Sequence, residues 1–160
     1  MNTVTNRLML VALLAALGLA LPCLAPSAES EKPKTESFKG KVKTLAAVAE
    51  KAGAKLDPDA APTSLVLVAD NGNIYPIIKD DGSRLFFKDD ILLNREMLLT
   101  GRLLRNSQLL QVVAVQSYNK KDELCDVYYW CDICSIRRGE KMRCECCGGP
   151  MELREVPVKK

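Results

Sequence analysis

After residue 37 the chain is a succession of short apolar stretches, each bounded by turn residues. Lys39-Gly40-Lys41-Val42-Lys43, following Phe38, alternates with the period of two expected of a half-buried strand. Thr44 stands where a helix N-cap would, ahead of Leu45, Val48, Ala49 and Ala52 at helical spacing, with Gly53 as the stop. A short helix is therefore predicted after the first strand. Lys55 to Pro62 contains Asp57-Pro58-Asp59 and reads as an irregular loop. Ser64 to Ala69 and Ile74 to Ile78 flank Asp70-Asn71-Gly72-Asn73 and predict a hairpin, with Pro76 placing its strand at an edge or bulge. Asp80-Asp81-Gly82-Ser83 turns the chain again. Arg84 to Asn94 fits either a short strand or a helical crossover. Met97 to Leu104 and Leu109 to Val115, around Arg105-Asn106-Ser107-Gln108, predict a second hairpin.

The N-terminus follows another pattern. Arg7 precedes an apolar run of 14 residues, Leu8 to Leu21, and Ala25-Pro26-Ser27-Ala28 offers small residues for cleavage. Residues 1–28 are expected to be a secretory signal peptide, with an uncleaved membrane anchor as the alternative. Cleavage would remove Cys23 and leave six cysteines in an exported protein, periplasmic or secreted. Residues 29–37 have no large apolar side chain and read as a solvated linker.

Five strands with a crossover before the fourth is the layout of a small closed barrel. The stretch 38–120 resembles the OB-fold domains of exported bacterial proteins, with its Gly-containing first strand, Asp-Gly-like turns and a late Leu99-Thr100-Gly101 strand. That resemblance implies a mainly β fold, a five-stranded OB-like barrel with one or two short helices, able to present a surface to a ligand or protein. Aromatics are sparse, so Phe38, Tyr75, Phe86, Phe87 and Tyr118 are read as core or rim residues. A net charge of +3, evenly spread, disfavours nucleic acid as partner, and a membrane partner is expected only through an uncleaved N-terminus.

Composition adds two constraints on chemistry. Histidine is absent, which excludes Ser-His nucleophiles and His-containing metal sites. Five of the seven cysteines fall between Cys131 and Cys147. Cys131, Cys134, Cys144 and Cys147 read as C-x2-C-x9-C-x2-C, two tight turns offering four thiolates to a tetrahedral ion. Gly148 follows the second turn and supplies the positive φ that closes such a knuckle, whereas Ser135 stands at that place in the first. Arg137, Arg138, Lys141 and Arg143 in the intervening loop are cations able to support a sulfur-rich anionic site. Cys125 and Cys146 are left over, either as spare thiols or as a disulfide.

Residues 124–156 resemble zinc-ribbon and rubredoxin-type knuckle proteins. Trp130-Cys131 and Cys144-Glu145-Cys146-Cys147-Gly148 also resemble heavy-metal-binding modules of exported bacterial proteins, although Ile133-Cys134 replaces the Met-His pair found there. The whole chain is similar to small exported proteins of planctomycete-type bacteria that pair an OB-like domain with such a ribbon. Zn²⁺ is the expected cofactor, with iron the lesser alternative and a disulfide framework of the six mature cysteines the competing staple. Few large apolar side chains lie in the ribbon, and metal binding contributes on the order of 10 kcal/mol to folding in small zinc modules. No catalytic group is singled out. The expected function is a non-enzymatic exported binding protein whose partner is a protein or small molecule. A thiol-disulfide oxidoreductase or electron carrier using Cys131 and Cys134, and a heavy-metal handling protein, stand as alternatives.

Overall fold

The computed structural model of the chain describes residues 34–57 and 63–159. The predicted signal peptide with Cys23, most of the linker, and loop residues 58–62 lie outside the described residues. The elements are β1 (Thr35–Thr44), α1 (Leu45–Lys51), β2 (Leu65–Ala69), β3 (Ile74–Pro76), β4 (Glu96–Leu103), β5 (Leu110–Tyr118), β6 (Leu124–Cys131), β7 (Ile136–Arg138) and β8 (Glu152–Pro157). The fold is mainly β, as the alternation predicts. One antiparallel sheet of eight strands runs β3-β2-β1-β4-β5-β6-β7, and β8 pairs with β6 off this path.

β1 is the pivot of the first half. It pairs with β2 from Gly40 to Thr44 and with β4 from Thr35 to Lys41, so both neighbours meet at Gly40. A Cβ at Gly40 would lie 2.2 Å from the Val68 carbonyl oxygen, and only glycine permits the approach. The strand also starts at Thr35, inside the stretch read as a linker. Apolar burial does not extend it there. Cross-strand pairing with Gly101 and Arg102 does, helped by Ser37 and Thr100 hydroxyls 3.2 Å apart. At its other end Thr44 caps α1, its hydroxyl accepting from Ala47 N–H, and Gly53 adopts φ +81 after the helix.

β4 and β5 form the second hairpin with a register shift at Thr100/Gly101, where Val113 is passed over and left 51% exposed. The sheet is not closed into a barrel. β3 and β5 meet through one parallel bridge, Ile77 to Leu110, with Ile78 N–H donating to Leu110 O at 3.0 Å. The ambiguous crossover resolves into two 3₁₀ helices, Arg84–Phe87 and Asp90–Leu92, which bury Leu85, Phe86 and Leu92 against the sheet. Of the aromatics read as core or rim, Phe38, Tyr75 and Phe86 are buried.

β6 joins the two halves of the sheet. Its burial alternates without a break, with Cys125, Val127, Tyr129 and Cys131 inward and Asp126, Tyr128 and Trp130 outward. One edge pairs first with β5 and then with β7, and the other pairs with β8. The core therefore continues from Leu67, Met97 and Leu99 through Tyr129 to Cys131, Cys144 and Met151. Among the described residues, no helix is long and apolar enough to cross a membrane.

Asp89 fastens the 3₁₀ segment to this second half. The adjacent acids Asp89 and Asp90 suggest a solvated turn, yet only 13% of the Asp89 side chain is exposed. Its carboxylate accepts from Tyr129 Oη at 2.9 Å, lies 3.3 Å from Lys141 Nζ, and caps Ile91 N–H at 3.3 Å. Burial raises its pKa, but the bonds from Tyr129, Ile91 and Lys141 outweigh burial, and the group titrates below the usual carboxylate range. Its contribution is thus complete at neutral pH and fades only as pH falls below about 4. Asp89→Ala should lower stability by about 2 kcal/mol at pH 7 in urea unfolding, with a smaller difference at pH 3. Asp90→Ala should change it by less than about 0.5 kcal/mol. Equal effects of the two substitutions would contradict the assignment.

Candidate metal centre

β6 ends at Cys131 because the chain there folds into a four-residue turn. Cys131-Asp132-Ile133-Cys134 closes when Ser135 N–H donates to Cys131 O at 2.8 Å, with Ser135 at φ 54. Cys144-Glu145-Cys146-Cys147 repeats this arrangement. Gly148 N–H donates to Cys144 O at 2.8 Å, with Gly148 at φ 70. Both left-handed positions are those marked in the sequence, and the first is occupied by serine at a steric cost. β7 and β8 pair with β6 on opposite edges and bring the two turns face to face. Cys144 N–H donating to Gly149 O, together with the Arg143–Pro150 bridge, fixes the base of the second turn.

The sulfurs of Cys131, Cys134, Cys144 and Cys147 all lie within 4.8 Å of one another, and Cys131 Sγ is 3.6 Å from Cys147 Sγ. A regular tetrahedron of thiolates about 2.3 Å from a central ion has edges of about 3.8 Å. The spacing fits such an ion. It is far too wide for a disulfide, whose sulfurs stand about 2.05 Å apart. Four cysteines are thus placed close enough together to hold a metal ion. Cys131 and Cys144 are 1% and 2% exposed, Cys134 is half-buried and Cys147 exposed.

Backbone dipoles converge on the two inner sulfurs. Cys144 accepts from the N–H groups of Cys147 and Cys146, which outweigh burial and bring its pKa down to about 7. Cys131 accepts from the N–H groups of Cys134 and Ile133, but burial and hydrogen bonding with the Cys144 and Cys147 thiols leave it raised. Cys134 is pushed far up, first by hydrogen bonding with the Cys146 thiol, then with Cys147, and by burial.

The four cations of the loop have separate tasks. Arg138 pairs with Glu145 across the two knuckles and lies within electrostatic reach of Cys144. Arg143 Nη1 donates to Gly148 O at 3.4 Å in the second knuckle. Lys141 binds Asp89, and the Arg137 guanidinium lies 4.2 Å from the centroid of the Tyr128 ring. Cys125 and Cys146 are both free thiols. Cys125 lies on the inner face of β6, six residues and about 20 Å along the strand from Cys131. Burial pushes its thiol up, as do Glu155 and Glu123. Its neighbourhood is tied together by Ser117, whose hydroxyl donates to Glu155 Oε1 at 2.7 Å, while Glu155 pairs with Arg95.

Two supporting residues have no motif to announce them. Arg154 on β8 donates from Nη2 to both oxygens of Asp132, at 2.9 and 2.7 Å, and so anchors the first knuckle to the last strand. Asp89 does the same for the loop between the knuckles. Each partner is distant in sequence, and only the spacing of the cysteines carries a local signal. No known protein family, curated protein or solved structure matches the chain.

The two knuckles differ at one conformationally demanding position, which gives a paired test. Ser135→Gly should raise the thermal stability of the protein by about 1 kcal/mol, and Gly148→Ala should lower it by a similar amount. Changes of the same sign in both would contradict the shared geometry.

Proposed function

We propose that Cys131, Cys134, Cys144 and Cys147 hold one Zn²⁺ in a closed structural site, within a non-enzymatic exported binding protein. The carrying observation is that four sulfurs from two knuckles lie within 4.8 Å of one another. Zinc suits four thiolates in a tetrahedron and neutralises half their charge. Four protein ligands leave no coordination position for water or substrate, which favours a structural over a hydrolytic role. The ion would hold the turn after β6 to the turn before β8.

The sheet supports an OB-like reading of β1 to β5. β1 is shared between β2 and β4, β4 continues to β5, and the Ile77–Leu110 bridge brings the end of β3 to the start of β5. An OB-fold is a partly open five-stranded barrel, and this strand order is compatible with one. We assign to this region the surface for a protein or small-molecule partner. With residues 1–28 as an export signal, the chain then has the organisation of the small planctomycete-type exported proteins it resembles.

Native mass spectrometry of protein from the exported fraction tests the composition. One zinc per chain beginning after Ser27 or Ala28 is expected, and a metal-free chain would contradict the reading. Chelation should abolish the circular dichroism of the knuckles and of β7 and β8 while most of the β1–β5 signal persists. The simultaneous change of the four cysteines to alanine should do the same. The pH dependence has a definite sign: protons compete with metal for the thiolates, so zinc is released as pH falls, with no more than four protons taken up per ion.

A further inference from the structure

The crossover between β3 and β4 is tied to the loop between the knuckles by two ion pairs of opposite sense. Arg84, on the first 3₁₀ helix, donates from Nη1 to Glu140 Oε1 at 3.2 Å, and its other nitrogen pairs with Asp81. Asp89, just before the second 3₁₀ helix, lies 3.3 Å from Lys141 Nζ. Adjacent loop residues thus carry one acid and one base, and each meets its counterpart on the crossover. Exchanging the two would set like charge against like. Met142, the next residue, packs against the same core as Leu85, Phe86 and Leu92.

The crossover in turn closes the seam between β3 and β5. Ser83 is fully buried, and its hydroxyl donates to Ile78 O at 2.6 Å while Ile78 N–H donates to Leu110 O at 3.0 Å. A Cβ at Gly82 would lie 2.0 Å from Val112 O, so this turn lies directly on β5. Within the crossover the backbone bonds are short-range, Phe86 N–H to Ser83 O and Lys88 N–H to Leu85 O among them. Single 3₁₀ turns have little cooperative strength, so their order depends on what holds them from outside.

We propose that zinc occupancy of the knuckles sets the order of the crossover, making the metal centre a switch for closure of the β3–β5 seam. This rests on the zinc reading above. β7 pairs with Tyr129 to Cys131 ahead of the loop, and Cys144 N–H donates to Gly149 O behind it, so folding of the knuckles fixes both of its ends. With the ion bound, Glu140 and Lys141 hold the crossover down. With the ion gone, the loop lets it go. By linkage the coupling is reciprocal, and a held crossover raises the affinity for zinc.

Hydrogen exchange on the full chain, with zinc and after chelation, tests this. In wild type, zinc removal should speed exchange of the Phe86, Lys88, Asp89, Leu92 and Leu93 amides about tenfold, with a change of less than about twofold in β2. In zinc-loaded Glu140→Gln/Lys141→Met, the crossover should already exchange at the metal-free wild-type rate. Competition with a chelator should show this double variant holding zinc about tenfold more weakly than wild type, and each single variant about threefold more weakly. Unchanged crossover exchange on removing zinc from wild type would overturn the proposal. Equal acceleration in β2 would do so too, because the whole sheet would then be unfolding, as would a double variant indistinguishable from wild type. A wild-type chain that binds no zinc would overturn the metal reading and this proposal together, a result distinct from the others.

Discussion

The second half of the molecule depends on gathering four sulfurs into a space a few ångströms across. Thiolates at that separation repel one another, and thiols there must share hydrogens along edges longer than good hydrogen bonds. Two turns with converging N–H groups reduce the repulsion at Cys131 and Cys144 but do not remove it. A cation at the centre would. The demand is local, yet its effects extend, because the first turn ends β6 and the second leads into β8.

This arrangement explains why the cysteine-bearing turns and the sheet share one core. β6 carries its alternation from Cys125 to Cys131, so the strand that closes one half opens the other. The knuckles lack apolar substance of their own, and Ile133 is 77% exposed. They lean instead on Tyr129 and Met151 from the common core and on polar ties from outside. Asp89 holds the loop through Lys141, Arg154 holds the first turn through Asp132, and Arg138 crosses to Glu145. The Arg154–Asp132 and Arg138–Glu145 pairs are exposed and individually weak, whereas Asp89 is largely buried. The value of the three ties lies in fixing the direction of approach of the two turns.

Much of the architecture was legible from patterns that act over a few residues. Thr44 and Gly53 marked the ends of α1, Asn71-Gly72 marked the first hairpin, and Pro76 marked an edge strand. The paired C-x2-C spacing disclosed the cluster, and the Ser135 and Gly148 positions disclosed its backbone strain. What stayed hidden depends on partners remote in the chain. β1 begins at Thr35 because β4 is there to pair with it, and no property of Thr35-Glu36-Ser37 reports that. The two 3₁₀ helices lie below the length at which helical periodicity can be distinguished from a strand. Asp89 looked like half of an exposed acidic pair because Tyr129 lies 40 positions away. Likewise, the pairing of Arg154 with Asp132 arises only when β8 meets the first turn.

X-ray absorption at the zinc edge of the purified protein addresses the central claim most directly, since it counts and identifies the atoms around a bound ion. A structural site built from Cys131, Cys134, Cys144 and Cys147 predicts a single shell of four sulfurs at about 2.3 Å. A shell containing oxygen or nitrogen, one with fewer than four sulfurs, or a protein without zinc would contradict it.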